Sequence, residues 1–211
     1  MTRFRHTALL LIISTLAIAA GPSTKPTIDV EAVARSFPDG GGYNTKWAGT
    51  GTPEEIRFKD ARILSKSENG TYCCGFTFAV VMKAAAESGL LKDKSVEQIK
   101  RFQKEWYGAV KEKDIAERQC SVAIEHLGIG KQVSADDAKT GNFMQFWRTK
   151  SGHSVVFLKW VEKDGQRIGF TYRSSQGSTD GIGDKTECFK DSGIEKAEVD
   201  RNRAYFGRLG L

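Results

Sequence analysis

The sequence lacks the short motifs that mark the commonest metal and nucleotide sites. It has no C-x-x-C, no H-E-x-x-H and no G-x-G-x-x-G, so nothing indicates structural zinc, a zinc protease or dinucleotide binding. The G-x-S-x-G elbow of serine hydrolases is also missing. Only three histidines occur in 211 residues, so a general base has few candidates. We therefore expect no metal and no organic cofactor.

There is also no stripe of basic and aromatic residues of the kind that binds nucleic acid. The formal net charge is +6, and the basic excess is spread along the chain. Without Arg3 and Arg5, which lie in the leader described next, 30 basic residues face 26 acidic ones, a net charge near +4. An excess of this size keeps a protein soluble and favours an anionic surface such as a cell wall. We expect no nucleic-acid partner.

No apolar run reaches the length of about 20 residues that a membrane span needs. The N-terminus instead has Arg3 and Arg5, a short apolar run at 8–13 and the small-residue exit Ala17-Ile18-Ala19. These are the three parts of a secretory signal, and no cysteine follows the run to carry a lipid. We predict that residues 1–20 are a cleaved signal peptide, that no stable membrane anchor remains, and that the mature chain is secreted or periplasmic.

The rest of the chain divides into an arm and one domain with room for a sizeable core. Residues 21–52 are rich in Gly, Pro, Ser and Thr, which predicts an extended arm or loops. In the domain, residues 53–211, we predict helices starting at Pro53, near Cys73 and after Ser95, and a last one that Gly128 closes. Strand-like segments follow at 143–147, 153–161 and 167–175, with a further strand near 204–209. Helices followed by an antiparallel sheet predict an α+β domain.

Four cysteines remain in the predicted mature chain, and Cys73 stands where a loop turns into a helix. The helix dipole and the free N–H groups of a first turn lower the pKa of a thiol, which favours a nucleophile at Cys73. The same free N–H groups suit an oxyanion. Cys74 is the alternative nucleophile if the helix begins one residue later. Cys74, Cys120 and Cys188 allow three single disulfides, of which Cys120–Cys188 would join the tail to the helices.

His153 is the candidate base for such a thiol. It opens a strand directly after the turn Ser151-Gly152, where a side chain can stand at the rim of the sheet. His126, by contrast, lies in the last turn of a predicted helix, where a cation suits the C-terminal dipole without any further role. Cysteine–histidine chemistry needs a base, and His153 is the better placed of the two.

A predicted hairpin supplies a third residue. If Asp164-Gly165 forms a two-residue turn, the strands that it joins place His153 opposite Gln176. Directly opposed side chains lie about 5 Å apart on one face, so the Gln176 amide could accept the imidazole N–H and hold the ring. A loop one residue longer would bring Ser175 or Gly177 to this position, and Ser174 is the diagonal neighbour.

Two segments resemble the NlpC family of papain-like cell-wall hydrolases and the related CHAP amidases. Residues 72–76, Tyr-Cys-Cys-Gly-Phe, are similar to the D-C-S-G-F motif of the family's catalytic helix. Gly141-Asn142 and residues 152–156, Gly-His-Ser-Val-Val, are similar to its G-D and G-H-V segments. Three residues depart from the motifs, since Tyr72 replaces Asp, Cys74 replaces Ser and Asn142 replaces Asp. The helical insert between cysteine and histidine is also longer than is usual in the family.

The resemblance implies a papain-like fold in which the nucleophile helix packs on a C-terminal antiparallel sheet. It implies that Cys73 attacks an amide, that His153 is the base and that Gln176 orients it. We therefore expect an exported cysteine hydrolase that cleaves an amide or peptide bond, with cell-wall peptide as the favoured substrate. The alternatives are a non-catalytic exported binding domain on the same fold and an acyl or amide transferase that uses the same pair.

Overall fold

An antiparallel sheet of seven strands forms the centre of the computed structural model, which describes residues 28–210. The helices are α1 (Val30–Arg35), α2 (Cys73–Glu87), α3 (Val96–Trp106), α4 (Lys113–Arg118) and α5 (Cys120–Leu127). The strands are β1 (Gly40–Gly41), β2 (Ile56–Phe58), β3 (Ala61–Leu64), β4 (Gly130–Val133), β5 (Phe143–Arg148), β6 (Gly152–Lys163), β7 (Gln166–Gln176), β8 (Gly181–Cys188) and β9 (Val199–Leu209). The predicted α+β class is confirmed.

The large sheet has the strand order β1-β8-β7-β6-β5-β9-β4, and β2 and β3 form a separate hairpin. Because side chains alternate along a strand, each face of the sheet has its own core. Phe143 and Val156 lie in the core beneath the helices, whereas their neighbours Met144 and Val155 lie in a second core of mostly aromatic residues on the opposite face.

The helices begin and end where local chemistry favours it. Ser95 caps α3 with a complete capping box, in which it exchanges hydrogen bonds with Gln98. α5 ends at Gly128, whose φ of 67° is the left-handed conformation that closes helices. α2 is apolar almost all round, and ten of its fifteen residues are buried. It packs against β6 and β7, so its first residue, Cys73, lies near the open end of that hairpin.

The hairpin of β6 and β7 has the predicted two-residue turn. Asp164 and Gly165 have φ values of 52° and 74°, as a type I′ turn requires, and Lys163 pairs with Gln166. Two irregularities, between Phe157 and Lys159 and between Val161 and Glu162, shift the register one way and then back. Beyond both irregularities, the pairs Phe157–Tyr172 and Val156–Arg173 therefore have the same register as the pairs next to the turn.

The N-terminal segment is more ordered than predicted. The prediction of an extended arm or loops at residues 21–52 is wrong where α1 and β1 form. Residues 21–27 lie outside the described part of the chain. Asp29 caps α1 by accepting the Ala32 N–H at 2.9 Å, and β1 joins the edge of the sheet beside β8. The buried guanidinium of Arg173 binds the carbonyl oxygens of Ala34 and Phe37, which ties this segment to the sheet.

Four further points differ from the expectations or lie beyond the structure. No helix starts at Pro53, because the chain enters the β2–β3 hairpin instead. β8 lies at residues 181–188, where no strand was predicted. All four cysteines are free in the structure, so Cys120–Cys188 is not bridged. The predicted signal at residues 1–20 lies outside the described residues, and between residues 28 and 210 no helix is long and apolar enough to cross a membrane.

Candidate active site

Cys73 is the first residue of α2, and the loop before it holds this helix end in place. The Tyr72 N–H donates to the Gly51 carbonyl at 3.2 Å, and the Tyr72 hydroxyl donates to the Gly49 carbonyl at 2.7 Å. Gly75 lets this loop approach, because a Cβ there would collide with the Gly51 carbonyl. Within residues 28–210 no acceptor is found for the Cys73 N–H, as is normal in the first turn of a helix.

The electrostatic setting distinguishes the two adjacent thiols. The pKa of Cys73 is held well below its ordinary value, chiefly by a hydrogen bond from the Cys74 thiol. Burial opposes this shift, while the charge and hydrogen bonding of His153 and the Ser154 N–H support it. The pKa of Cys74 is raised well above its ordinary value, because its proton is held by Cys73 and its sulfur is buried. The two opposite pKa shifts favour Cys73 as the thiolate of the pair and Cys74 as its donor.

His153 stands on β6 with 5% of its surface exposed, held between two aromatic rings. The ring centroid of Phe146 lies 5.6 Å from the imidazole and that of Tyr172 lies 5.5 Å from it, both edge-on. Its Nε2 lies 3.5 Å from Oε1 of Gln176, on the neighbouring strand. Because Nε2 faces the amide, Nδ1 is the ring nitrogen left for Cys73.

The Gln176 amide is oriented by its own partners. Its Nε2 donates to the Thr179 hydroxyl at 2.7 Å and to the Gly183 carbonyl at 3.2 Å. Thr179 in turn donates to the Gly181 carbonyl at 2.6 Å, which leaves its oxygen free to accept from the amide. With the amide nitrogen engaged, the amide oxygen faces His153. A Cβ at Gly183 would lie 2.8 Å from Cβ of Thr179, so this arrangement needs a residue without a side chain.

Ser175 and Ser174, the alternatives to Gln176, do not take the third position. A loop one residue longer would have been needed, and the turn is the two-residue one. Both side chains are buried with their hydroxyls engaged elsewhere: Ser175 with Thr71 Oγ1 at 2.7 Å, and Ser174 with the Ser154 carbonyl at 2.7 Å. Cys73, His153 and Gln176 are therefore the predicted residues that the fold brings together.

Behind the imidazole lies an ion pair that the sequence did not reveal. The Tyr172 hydroxyl donates to Glu187 at 2.7 Å, and Nε of Arg148 donates to the same carboxylate at 2.7 Å. Burial by itself raises the pKa of Glu187, but hydrogen bonding and the charge of Arg148 outweigh it and lower the pKa to about 2. The carboxylate thus fixes Tyr172, whose ring supports His153.

A cleft of about 530 Å³ opens over Cys73 and His153. Its lining is aromatic and basic, and no Asp or Glu among residues 28–210 contributes to it. Trp47 stands at its rim with 65% of its surface exposed and donates from Nε1 to the Tyr43 hydroxyl at 2.9 Å. The other aromatic residues of the lining are Tyr72, Tyr107 and Trp147, and the two basic ones besides His153 are Arg148 and Lys150.

Three polar residues of this cleft were also missed: Gln119, Gln145 and Ser154. Gln119 is the single residue between α4 and α5, so its position depends on how the helical insert packs. Nothing in its sequence surroundings indicated this. Across residues 28–210, no three side chains of His, Cys, Asp or Glu are grouped so that they could hold a metal ion.

Comparisons with protein-family models, with curated proteins and with solved structures give no match to this chain.

Proposed function

We propose that the protein is an exported cysteine hydrolase that cleaves an amide or peptide bond through an acyl-enzyme at Cys73. The observation that carries the proposal is the convergence of Cys73, His153 and Gln176 in one cleft. In this arrangement the thiolate at the helix start is suited to act as the nucleophile, and the buried imidazole beside it is suited to act as the base. The amide behind the imidazole is suited to orient the ring.

The chemistry follows from these positions. The Cys73 thiolate attacks the amide carbon and forms a C–S bond, and the electron pair of the C=O bond moves to oxygen. The imidazolium of His153 gives its proton to the amide nitrogen as the C–N bond breaks, and the amine leaves. Neutral His153 then takes a proton from water, which attacks the thioester. The C–S bond breaks, a carboxylic acid is released, and the proton from water restores the thiolate–imidazolium pair.

A papain-like arrangement belongs to the same proposal. It is supported by the order along the chain, in which the helix with the thiol precedes the strand with the imidazole and the strand with the amide. It is also supported by the packing of α2 on β6 and β7. The NlpC-like motifs at residues 72–76 and 152–156 agree with these roles.

For the substrate we propose peptide of the cell wall. The cleft offers aromatic surface for apolar and ring-shaped groups and the positive charges of Arg148 and Lys150, and the described part of the chain adds no carboxylate to it. Such a lining favours a peptide that carries its own carboxylates. Arg148 is largely balanced by Glu187, whereas no ion pair of Lys150 is found among residues 28–210, so Lys150 is the more available cation.

The experiment is hydrolysis of purified peptidoglycan and its peptides, followed by mass spectrometry. Wild-type protein should release a new amine, and Cys73→Ala should release none. Cys188→Ala, which removes another partly exposed thiol, should keep full activity. A Cys73→Ala protein as active as wild type contradicts the proposal. A product that forms only with an added amine indicates a transferase, and a Cys73 inert to iodoacetamide at neutral pH indicates a binding domain.

A further inference from the structure

Two free thiols lie side by side at the start of α2. Cys73 and Cys74 are adjacent in the chain, both are partly exposed, and both line the cleft of about 530 Å³. A hydrogen bond joins the two thiols, so their sulfurs are in contact. The hydrolysis proposed above uses one sulfur as the nucleophile and the other only as a donor. The same reaction therefore leaves one property of the pair unused, which is that two thiols face one space.

The two thiols are poorly placed to form a disulfide with each other. A disulfide joins Cα atoms that are about 4.4–6.8 Å apart, whereas consecutive Cα atoms are only about 3.8 Å apart across a trans peptide bond. Both residues also belong to the first turn of α2, in which the Phe76 N–H donates to the Tyr72 carbonyl at 3.0 Å. Closing so small a ring would disturb this turn. The pair therefore stays available as a dithiol even where other cysteines are oxidised.

A single atom placed between the sulfurs removes this restriction. Two sulfurs in hydrogen-bonding contact are about as far apart as the two sulfurs that one trivalent arsenic atom holds, and thiolates are soft ligands that prefer such thiophilic centres. Zinc, by contrast, takes four ligands, and across residues 28–210 no three side chains of His, Cys, Asp or Glu are grouped to hold a metal ion. A centre that needs only two sulfurs from the protein fits the pair.

The surroundings of the pair favour the same class of ligand. Aromatic rings line the cleft, among them Tyr107 and Trp147, so an aryl group on the bound atom has aromatic surface to pack on. The pKa of Cys73 is held low by the hydrogen bond from Cys74 and by the charge of His153. One of the two sulfurs is therefore ready to bind without first losing a proton to solvent.

We propose that Cys73 and Cys74 together form a chelating site for trivalent arsenic compounds, of which aryl arsenicals fit the cleft best. Hydrated phenylarsine oxide carries two As–OH groups; on binding, both As–O bonds break and two As–S bonds form. The hydroxyl groups leave as two water molecules, one with the proton of the Cys74 thiol and the other with the proton of the His153 imidazolium. Arsenic stays trivalent throughout. Because the site needs only the two sulfurs, the inference goes beyond the proposed function and does not depend on the cleavage of any amide.

The test measures how phenylarsine oxide protects Cys73 of the full-length protein from alkylation by iodoacetamide. One equivalent should block alkylation in wild type, and mass spectrometry should find one aryl arsenic group per chain. Dimercaptopropanol should restore alkylation, whereas mercaptoethanol at the same concentration of thiol groups should not, because a monothiol does not match two sulfurs that are held together. Cys74→Ser should bind phenylarsine oxide about 10²–10⁴-fold more weakly, which is the usual advantage of two linked contacts.

Two controls keep the result specific. Cys74→Ser retains a donor beside Cys73, so its own alkylation by iodoacetamide shows that the site is folded. Cys188→Ala removes another partly exposed thiol and should bind phenylarsine oxide as wild type does.

Two results overturn the inference: protection that mercaptoethanol reverses, and a Cys74→Ser protein that is protected at the same concentration of phenylarsine oxide as wild type. Tight binding that only the dithiol reverses, in a protein that hydrolyses no peptide, supports the inference and contradicts the proposed function alone.

Discussion

The ion pair of Glu187 with Arg148 makes the folded state sensitive to acid. The pKa of Glu187 falls from 4.5 to about 2 on folding, which corresponds to about 3 kcal/mol of stability at neutral pH, at about 1.4 kcal/mol per unit. Only 12% of the side chain is exposed, so solvent screens this contribution little. Because the pKa is lowered in the folded state, the contribution is present above the unfolded pKa near 4.5. It is lost as the pH falls through about 2.

The measurement is the free energy of unfolding in urea for wild type and Glu187→Gln between pH 7 and pH 3. At pH 7 we expect the variant to be less stable by about 3 kcal/mol. By pH 3 about 2 kcal/mol of this difference should be lost, because Glu187 of the unfolded chain is then protonated, whereas Glu187 of the folded protein, with its pKa of about 2, is still largely ionised. Asp136→Asn is the control, since the Asp136 side chain is 94% exposed and its pair with Arg167 contributes little. A difference between wild type and Glu187→Gln that does not change with pH would refute the reasoning.

Two predictions concern the activated thiol and its base. Cys74→Ala removes the donor to the Cys73 thiolate, so the pKa of Cys73 rises and its alkylation by iodoacetamide shifts to higher pH; Cys74→Ser keeps a donor and should shift it less. An unchanged profile in Cys74→Ala contradicts this. Gln176→Ala should slow peptide hydrolysis by about 10²-fold, the lower end of what general acid–base catalysis contributes. Gly183→Ala should act in the same direction by displacing Thr179, and normal rates in both variants would exclude the orienting role.

Local sequence signals were sufficient to predict the three site residues that the fold brings together, Cys73, His153 and Gln176. The start of α2 follows from an apolar run after a polar break, and the register of the hairpin follows from the turn Asp164-Gly165. The contact between His153 and Gln176, whose Nε2 and Oε1 lie 3.5 Å apart, also followed from that turn, although two irregularities lie between these residues and the turn. These cancel within five residues, and nothing in the sequence indicated either one.

What the sequence could not reveal depends on contacts between distant segments. α1 has six residues and is stabilised by burial of Val30, Val33 and Ala34, so its composition alone reads as loop. β8 begins with glycines and a polar stretch, which do not indicate a strand. Glu187 lies on β8, and Arg148, its partner in the ion pair, lies 39 residues earlier in the chain. Gln119 reaches the cleft only because two short helices pack on the sheet. The signal peptide at residues 1–20 stays a prediction.

The nucleophile and its base belong to separate parts of the fold. His153 and Gln176 come together within one hairpin, whereas Cys73 reaches them only when α2 packs against β6 and β7. Until that packing is complete, the sulfur lacks the charge and hydrogen bonding of His153 and the hydrogen bond from the Ser154 N–H, so its pKa is higher and it reacts more slowly at neutral pH. The rate at which Cys73 is alkylated therefore reports the docking of one helix. In a refolding experiment, a reagent added in pulses would time that step without any substrate.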